Sequence, residues 1–182
     1  TIGLADELRH NVKKSISDLR KLGVKDIIML TGDTKEKAQA IANELGIDEV
    51  KAELLPQDKA KIIKELMLQG KKVAFIGDGI NDAPALISAH VGISMSRGAD
   101  IAKATADISL LKDDIACVVE AKEYANKTMD LINTNFNATV GINSGILAGA
   151  AFGIFSPIVT AVLHNGTTIG LLLNSIKGVK LK

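Results

Sequence analysis

Cysteine is nearly missing from this sequence. Cys117 is the one thiol among 182 residues, so neither an internal disulfide nor a cysteine-based zinc site can form. Placed just before a Val-Val pair, it reads as a small packing residue. Tryptophan is absent, and one Tyr with four Phe leaves no aromatic platform for single strands or sugars. No sign of charge dominates: 22 Lys and Arg stand against 21 Asp and Glu. That excludes a strongly basic nucleic-acid module and an acidic tail, so no nucleic-acid partner is expected. No secretory leader is expected in residues 1–9, which already carry both signs of charge. With no Met at position 1, the chain is expected to be a piece of something longer.

The most informative absence is local. Between Leu131 and Ile176 there is no Asp, Glu, Lys or Arg, and only Lys177, Lys180 and Lys182 follow. The charges are therefore concentrated in the first 130 residues, at a density normal for a soluble domain. The remainder is apolar and Gly-rich, interrupted by Gly153-Ile154-Phe155-Ser156-Pro157. Each side of that break holds enough residues to cross a hydrocarbon core of roughly 30 Å. Two transmembrane helices are predicted, at 133–155 and 157–176, as a hairpin with both outer ends on one side. The trailing lysines put that side in the cytoplasm. A buried soluble helical hairpin is the alternative.

Within the first 112 residues, short apolar runs alternate with helical patterns. Strands are predicted at 26–30, 72–76, 91–94 and 107–111, and helices at 35–45, 57–69 and from about Ala99. A mixed-charge helix at 113–130 follows as a connector. Such alternation means βαβ units and a parallel sheet, with ligands at the carboxyl ends of the strands. Thr31-Gly32-Asp33 and Gly77-Asp78-Gly79 fall on that edge.

The strongest chemical signal is Gly77-Asp78-Gly79-Ile80-Asn81-Asp82-Ala83-Pro84-Ala85-Leu86. Two carboxylates, Asp78 and Asp82, flank a glycine turn after a buried strand. A carboxylate there is placed to hold Mg²⁺, which takes oxygen ligands and substrate phosphates. Gly77 and Gly79 let backbone approach ion and phosphate. Both nucleotide-loop motifs fail, since Asp82 replaces the last fingerprint glycine and no Walker lysine follows. Thr31, directly after a strand, offers its hydroxyl and the Gly32 amide to a phosphoryl oxygen. Lys59 opens a helix and can set a compact cation against the same group. Singly these are a turn threonine and a solvated lysine. In this order they make a phosphoryl-transfer site.

Thr31-Gly32-Asp33, then Pro56 and Lys59, then the glycine-aspartate loop with Asp-Ala-Pro-Ala-Leu, resemble the second half of the phosphorylation domain of P-type ATPases, within the haloacid-dehalogenase-like fold. Asp6-Glu7-Leu8-Arg9 resembles the segment that re-enters this domain. One helix pair after the domain resembles the heavy-metal-transporting branch. The resemblance implies an α/β, haloacid-dehalogenase-like parallel sheet with flanking helices, followed by an all-α transmembrane hairpin. It divides the chain into 1–112 (phosphorylation domain), 113–132 (connector), 133–176 (two spans) and 177–182 (cytoplasmic tail). Thr31 and Lys59 would contact the phosphoryl group. Asp78 would bind Mg²⁺ with Asp82 in support, and Gly32, Asp33, Gly79 and Asn81 would shape the loops.

The family's nucleophilic Asp-Lys-Thr-Gly-Thr and its Thr-Gly-Glu motif are both missing from this sequence. The chain therefore resembles a C-terminal part of a multi-pass membrane pump. Its parent would hydrolyse ATP, bound mainly by a domain outside this chain, through an aspartyl-phosphate. The alternatives are a soluble phosphatase of the same fold and a non-catalytic membrane-anchored pseudo-domain. For cargo, polar groups within a span usually face a pathway. In copper(I) pumps of the similar branch the spans present Tyr-Asn and a Met with two serines. Here those positions read Ile142-Asn143 and His164 with Thr167-Thr168. With no Cys or Met in either span, ligand softness argues for a divalent transition-metal cation. Asn143, His164 and Thr167 are its candidate contacts.

Overall fold

The computed structural model describes residues 11–78, 80–96 and 100–177. Gly79, the segment at Asp6 to Arg9 and the tail at 178–182 lie outside the described residues. The chain divides into two compact units after Glu120.

In the first unit, α1 (Val12–Lys21), β1 (Ile28–Leu30), α2 (Lys35–Leu45), β2 (Glu49–Lys51) and α3 (Pro56–Leu68) lead to β3 (Ala74–Gly77). A 3₁₀ turn (Ile80–Asp82), α4 (Ala83–Ser88), β4 (Val91–Ser94), α5 (Asp100–Thr105) and β5 (Ile108–Ser109) follow. Local chemistry sets the bounds. Gly46 closes α2 at φ 71°, the left-handed cap that glycine takes without strain. Pro56 opens α3, and the Asp58 carboxylate accepts the Leu55 amide at 3.0 Å.

All strand pairs are parallel, as the βαβ pattern predicts. They form two ladders, β1–β2 and β3–β4–β5. β1 and β3 each pair on one side only among the described residues. A bridge from Lys71 Nζ to Asp26 Oδ2 at 2.7 Å joins the approaches to these two strands. Leu19, Ile93, Leu110 and Val118 form the core, with Ile27, Ile76 and Met95 packed on it. Against β4, α4 comes so close that a Cβ on Gly92 would lie 2.7 Å from the Leu86 carbonyl oxygen.

β2, α1 and α4 were not predicted. Three-residue β2 mixes Glu and Lys with Val, so it carries no apolar run to detect. Beyond the sheet, the connector and the first predicted span are a single helix, α6 (Ala116–Ala151), and α7 (Pro157–Lys177) follows. The turn between them passes through Gly153 at φ 71°. Helices thus occupy both stretches predicted to span. However, no helix among the described residues is long and apolar enough to cross a membrane. At 21 residues α7 rises about 31 Å, so it is apolar character, not length, that falls short. Its Asn, Thr and His dilute the apolar run.

Candidate functional site

At the carboxyl end of β1 the chain turns sharply. Thr31 Oγ1 donates to Asp33 Oδ2 at 3.1 Å and accepts the Asp33 amide at 3.1 Å. The Thr31 amide continues the ladder to the Lys51 carbonyl, and its own carbonyl accepts the Leu54 amide at 3.0 Å. Leu54 is the approach to α3, so the threonine turn is tied to the segment that launches Lys59. A Cβ on Gly32 would stand 3.4 Å from the Leu54 oxygen, ordinary contact.

The tighter cluster lies at the carboxyl end of β3. Lys59 Nζ donates to Asp82 Oδ1 at 2.7 Å, with side chains 17% and 10% exposed. Asp82 Oδ2 accepts the Asp78 amide at 3.3 Å. Gly77 is there because nothing larger fits: an added Cβ would meet Asp82 Cβ at 2.8 Å. Asp82 thus holds the loop with one oxygen and the lysine with the other. Asp78 and Asn81 are exposed. The structure brings Lys59, Asp78 and Asp82 together. Thr31, Gly32 and Asp33 form their own turn, linked to them through the start of α3.

Mg²⁺ commonly takes one or two carboxylates plus phosphate oxygens. The donor set fits it with Asp78 as the presented carboxylate and Asp82 behind, its oxygens already engaged. Among the described residues no three His, Cys, Asp or Glu side chains converge, so substrate oxygens would complete the shell.

In the second unit, α6 and α7 meet through polar side chains. His164 Nδ1 and Asn143 Oδ1 are 3.0 Å apart. Thr167 Oγ1 donates to the Leu163 carbonyl at 2.8 Å and Thr168 Oγ1 to the His164 carbonyl at 3.0 Å. A second rung, which the sequence did not single out, joins Asn135 to Ser175 at 2.7 Å and to Asn174 at 2.8 Å. Its signal was there: Asn and Ser residues on helix stretches with no charge. Meanwhile Ile132, Phe136, Val140, Leu147, Val162 and Leu172 are exposed. His164, Asn174 and Ser175 are exposed as well, while Ile146 is buried, so large apolar side chains stay uncovered on both helices.

The haloacid dehalogenase-like hydrolase family matches residues 1–90. Along its whole length the chain is 38% identical to a manganese-exporting P-type ATPase of Mycobacterium leprae (strain TN). It is 39% identical to a zinc-exporting P-type ATPase of Mycobacterium marinum (strain ATCC BAA-535 / M). It spans about a quarter of the length of these relatives, 25% in each case. A crystal structure of a zinc-transporting PIB-type ATPase in the E2.Pi state superposes with a TM-score of 0.86 at 37% identity. That match covers 96% of this chain and 28% of the other.

Proposed function

The chain belongs with the heavy-metal P-type ATPases, whose haloacid-dehalogenase-like domain it carries, and from that premise we propose that it serves as the phosphoryl-handling and membrane-hairpin portion of an ATP-driven transporter of a divalent transition-metal cation. The observation that carries this reading is the Lys59–Asp82 pair, anchored to the Asp78 amide at the end of β3. In the reading, Lys59 neutralises charge on the transferred phosphoryl group, and Asp82 holds that ammonium in place. Thr31 and the Gly32 amide bind phosphoryl oxygens, with Asp33 orienting the threonine hydroxyl. Asn81 and Gly79 shape the loop, and Asp78 holds Mg²⁺. That ion supplies charge neutralisation at the phosphate.

The partner for this chemistry is the N-terminal part of the pump, which would bring the nucleophilic aspartate and the ATP-binding domain. The open sides of β1 and β3 support a partner at this edge. The exposed large apolar side chains of α6 and α7 and the charge-free stretch that holds them support a place in the lipid bilayer, with the phosphorylation domain and the C-terminus cytoplasmic. His164 and Asn143, which meet between α6 and α7, and Thr167 are proposed to face the cargo.

Covalent catalysis needs a nucleophile, so this chain alone is expected to form no phosphoenzyme from ATP. In a full-length pump, Lys59→Ala is expected to lower phosphoenzyme formation on the order of a hundredfold. Radiolabel from γ-labelled ATP retained by this chain alone, or full labelling of the Lys59→Ala pump, would refute the reading.

A further inference from the structure

The contact between α6 and α7 carries information about the imidazole itself. His164 Nδ1 lies 3.0 Å from Asn143 Oδ1. An amide oxygen accepts hydrogen bonds and cannot donate them, so a neutral ring paired with it carries its proton on Nδ1. The lone pair is then on Nε2. That contact engages one of the two lone pairs of the Asn143 oxygen.

We infer that Asn143 is a positioning residue: it holds His164 in the Nδ1-protonated tautomer and presents Nε2 to a divalent transition-metal cation. This rests on the proposal that His164 faces the cargo. The surroundings favour it. Thr168 Oγ1 fixes the His164 carbonyl at 3.0 Å. The Asn135 rung fixes the register of the two helices roughly two turns away, about 12 Å along α6. There the Ser175 hydroxyl proton is committed to the Leu171 carbonyl at 3.0 Å. The serine oxygen therefore accepts from Asn135 Nδ2, while Asn135 Oδ1 accepts from Asn174. That leaves one amide orientation and one register. The ring also borders an open cleft with Ala150, Phe155, Thr160 and Ala161, which gives an ion a way in. A histidine held at one nitrogen by an oxygen acceptor, with the other nitrogen presented, is how proteins commonly prepare an imidazole for a metal.

The test uses the whole chain in lipid nanodiscs with ¹⁵N-labelled histidine, His164 signals being identified by their loss in His164→Gln. Without metal, at a pH where the ring is neutral, Nδ1 is expected to be protonated. Asn143→Leu should abolish that preference, and Asn143→Asp, which keeps an acceptor oxygen, should retain it. With ¹¹³Cd²⁺ as the probe, one-bond coupling should appear at Nε2, and Asn143→Leu should weaken binding about tenfold or more. A metal-free ring protonated on Nε2, or cadmium coupled through Nδ1, would overturn the role of Asn143. An Nδ1-protonated ring that never couples to cadmium would instead overturn the cargo reading of His164. The position of the ring proton tells the two failures apart.

Discussion

Two aspartates four positions apart do different work. Asp82 sits with Lys59 at 2.7 Å, where the side chains are 10% and 17% exposed, so the pair escapes the screening that makes surface pairs weak. Asp82→Asn is expected to destabilise the chain by about 3 kcal/mol, because it strips a largely buried ammonium of its counter-charge. Asp78 is exposed, and Asp78→Asn is expected to stay within about 0.5 kcal/mol. Urea unfolding of both variants measures the contrast, and equal losses would refute the division of labour. In sequence both residues stood out, since carboxylates beside glycines after a buried strand announce a phosphate loop. Which one faces outward was not legible. The partner of Asp82 lies 23 positions away on another helix, a distance no local pattern spans.

Elements are held together by contacts of the same kind. Gly92 lets α4 lie on β4, and a Cβ there would reach 2.7 Å from the Leu86 carbonyl oxygen. Backbone cannot rotate away as a side chain can. Gly92→Ala is therefore expected to cost about 2–3 kcal/mol, read as a lower urea midpoint at unchanged slope. A neutral result would mean that α4 moves freely over the sheet. Asp48 ties three elements: Arg20 on α1 bonds it at 2.9 Å, and it accepts the Ile27 amide before β1 at 2.8 Å. The Arg20 hydrogen bond first, then that amide, hold its carboxyl below its ordinary 3.8. A depressed carboxyl stabilises the fold above the unfolded value and loses that contribution as pH falls through the folded one. Stability should thus decline below about pH 4, and Asp48→Asn should flatten the decline. Asp18, lowered by its hydrogen bond to Lys21, keeps some slope in the variant. An unchanged acid limb would remove Asp48 from the account. The parallel strands and the helices at 35–45 and near 57–69 were readable because their apolar periods and Gly46 and Pro56 boundaries are local. β2 and six-residue α4 were not, being too short to show a period. The join that makes α6 one helix was hidden by the change in composition near Leu131, where the charges stop while the helical backbone continues.

At the scale of the whole molecule, the hairpin poses the sharpest question. Its hydropathy falls short of a membrane span, yet many of its large apolar side chains are exposed, and Asn135 and Asn143 on α6 pair with Ser175, Asn174 and His164 on α7. Those two facts have one physical source. Some of the polar residues that lower the average, Asn135, Asn143, His164 and Asn174, bond across the seam, and such bonds offset part of the cost of placing polar groups in an apolar medium. An average over the helix counts those residues as if they had no partner. If α6 and α7 cross a bilayer as proposed, the turn at Ser156 and the tail at Lys182 emerge on opposite sides, and the lysines mark the cytoplasmic one. Cysteines introduced singly at Ser156 and Lys182, in the Cys117→Ala background and in sealed vesicles, are expected to react with a membrane-impermeant maleimide from opposite faces. Reaction of both from the same face would place the hairpin on the membrane surface or in water, and the seam would then have to be explained without lipid.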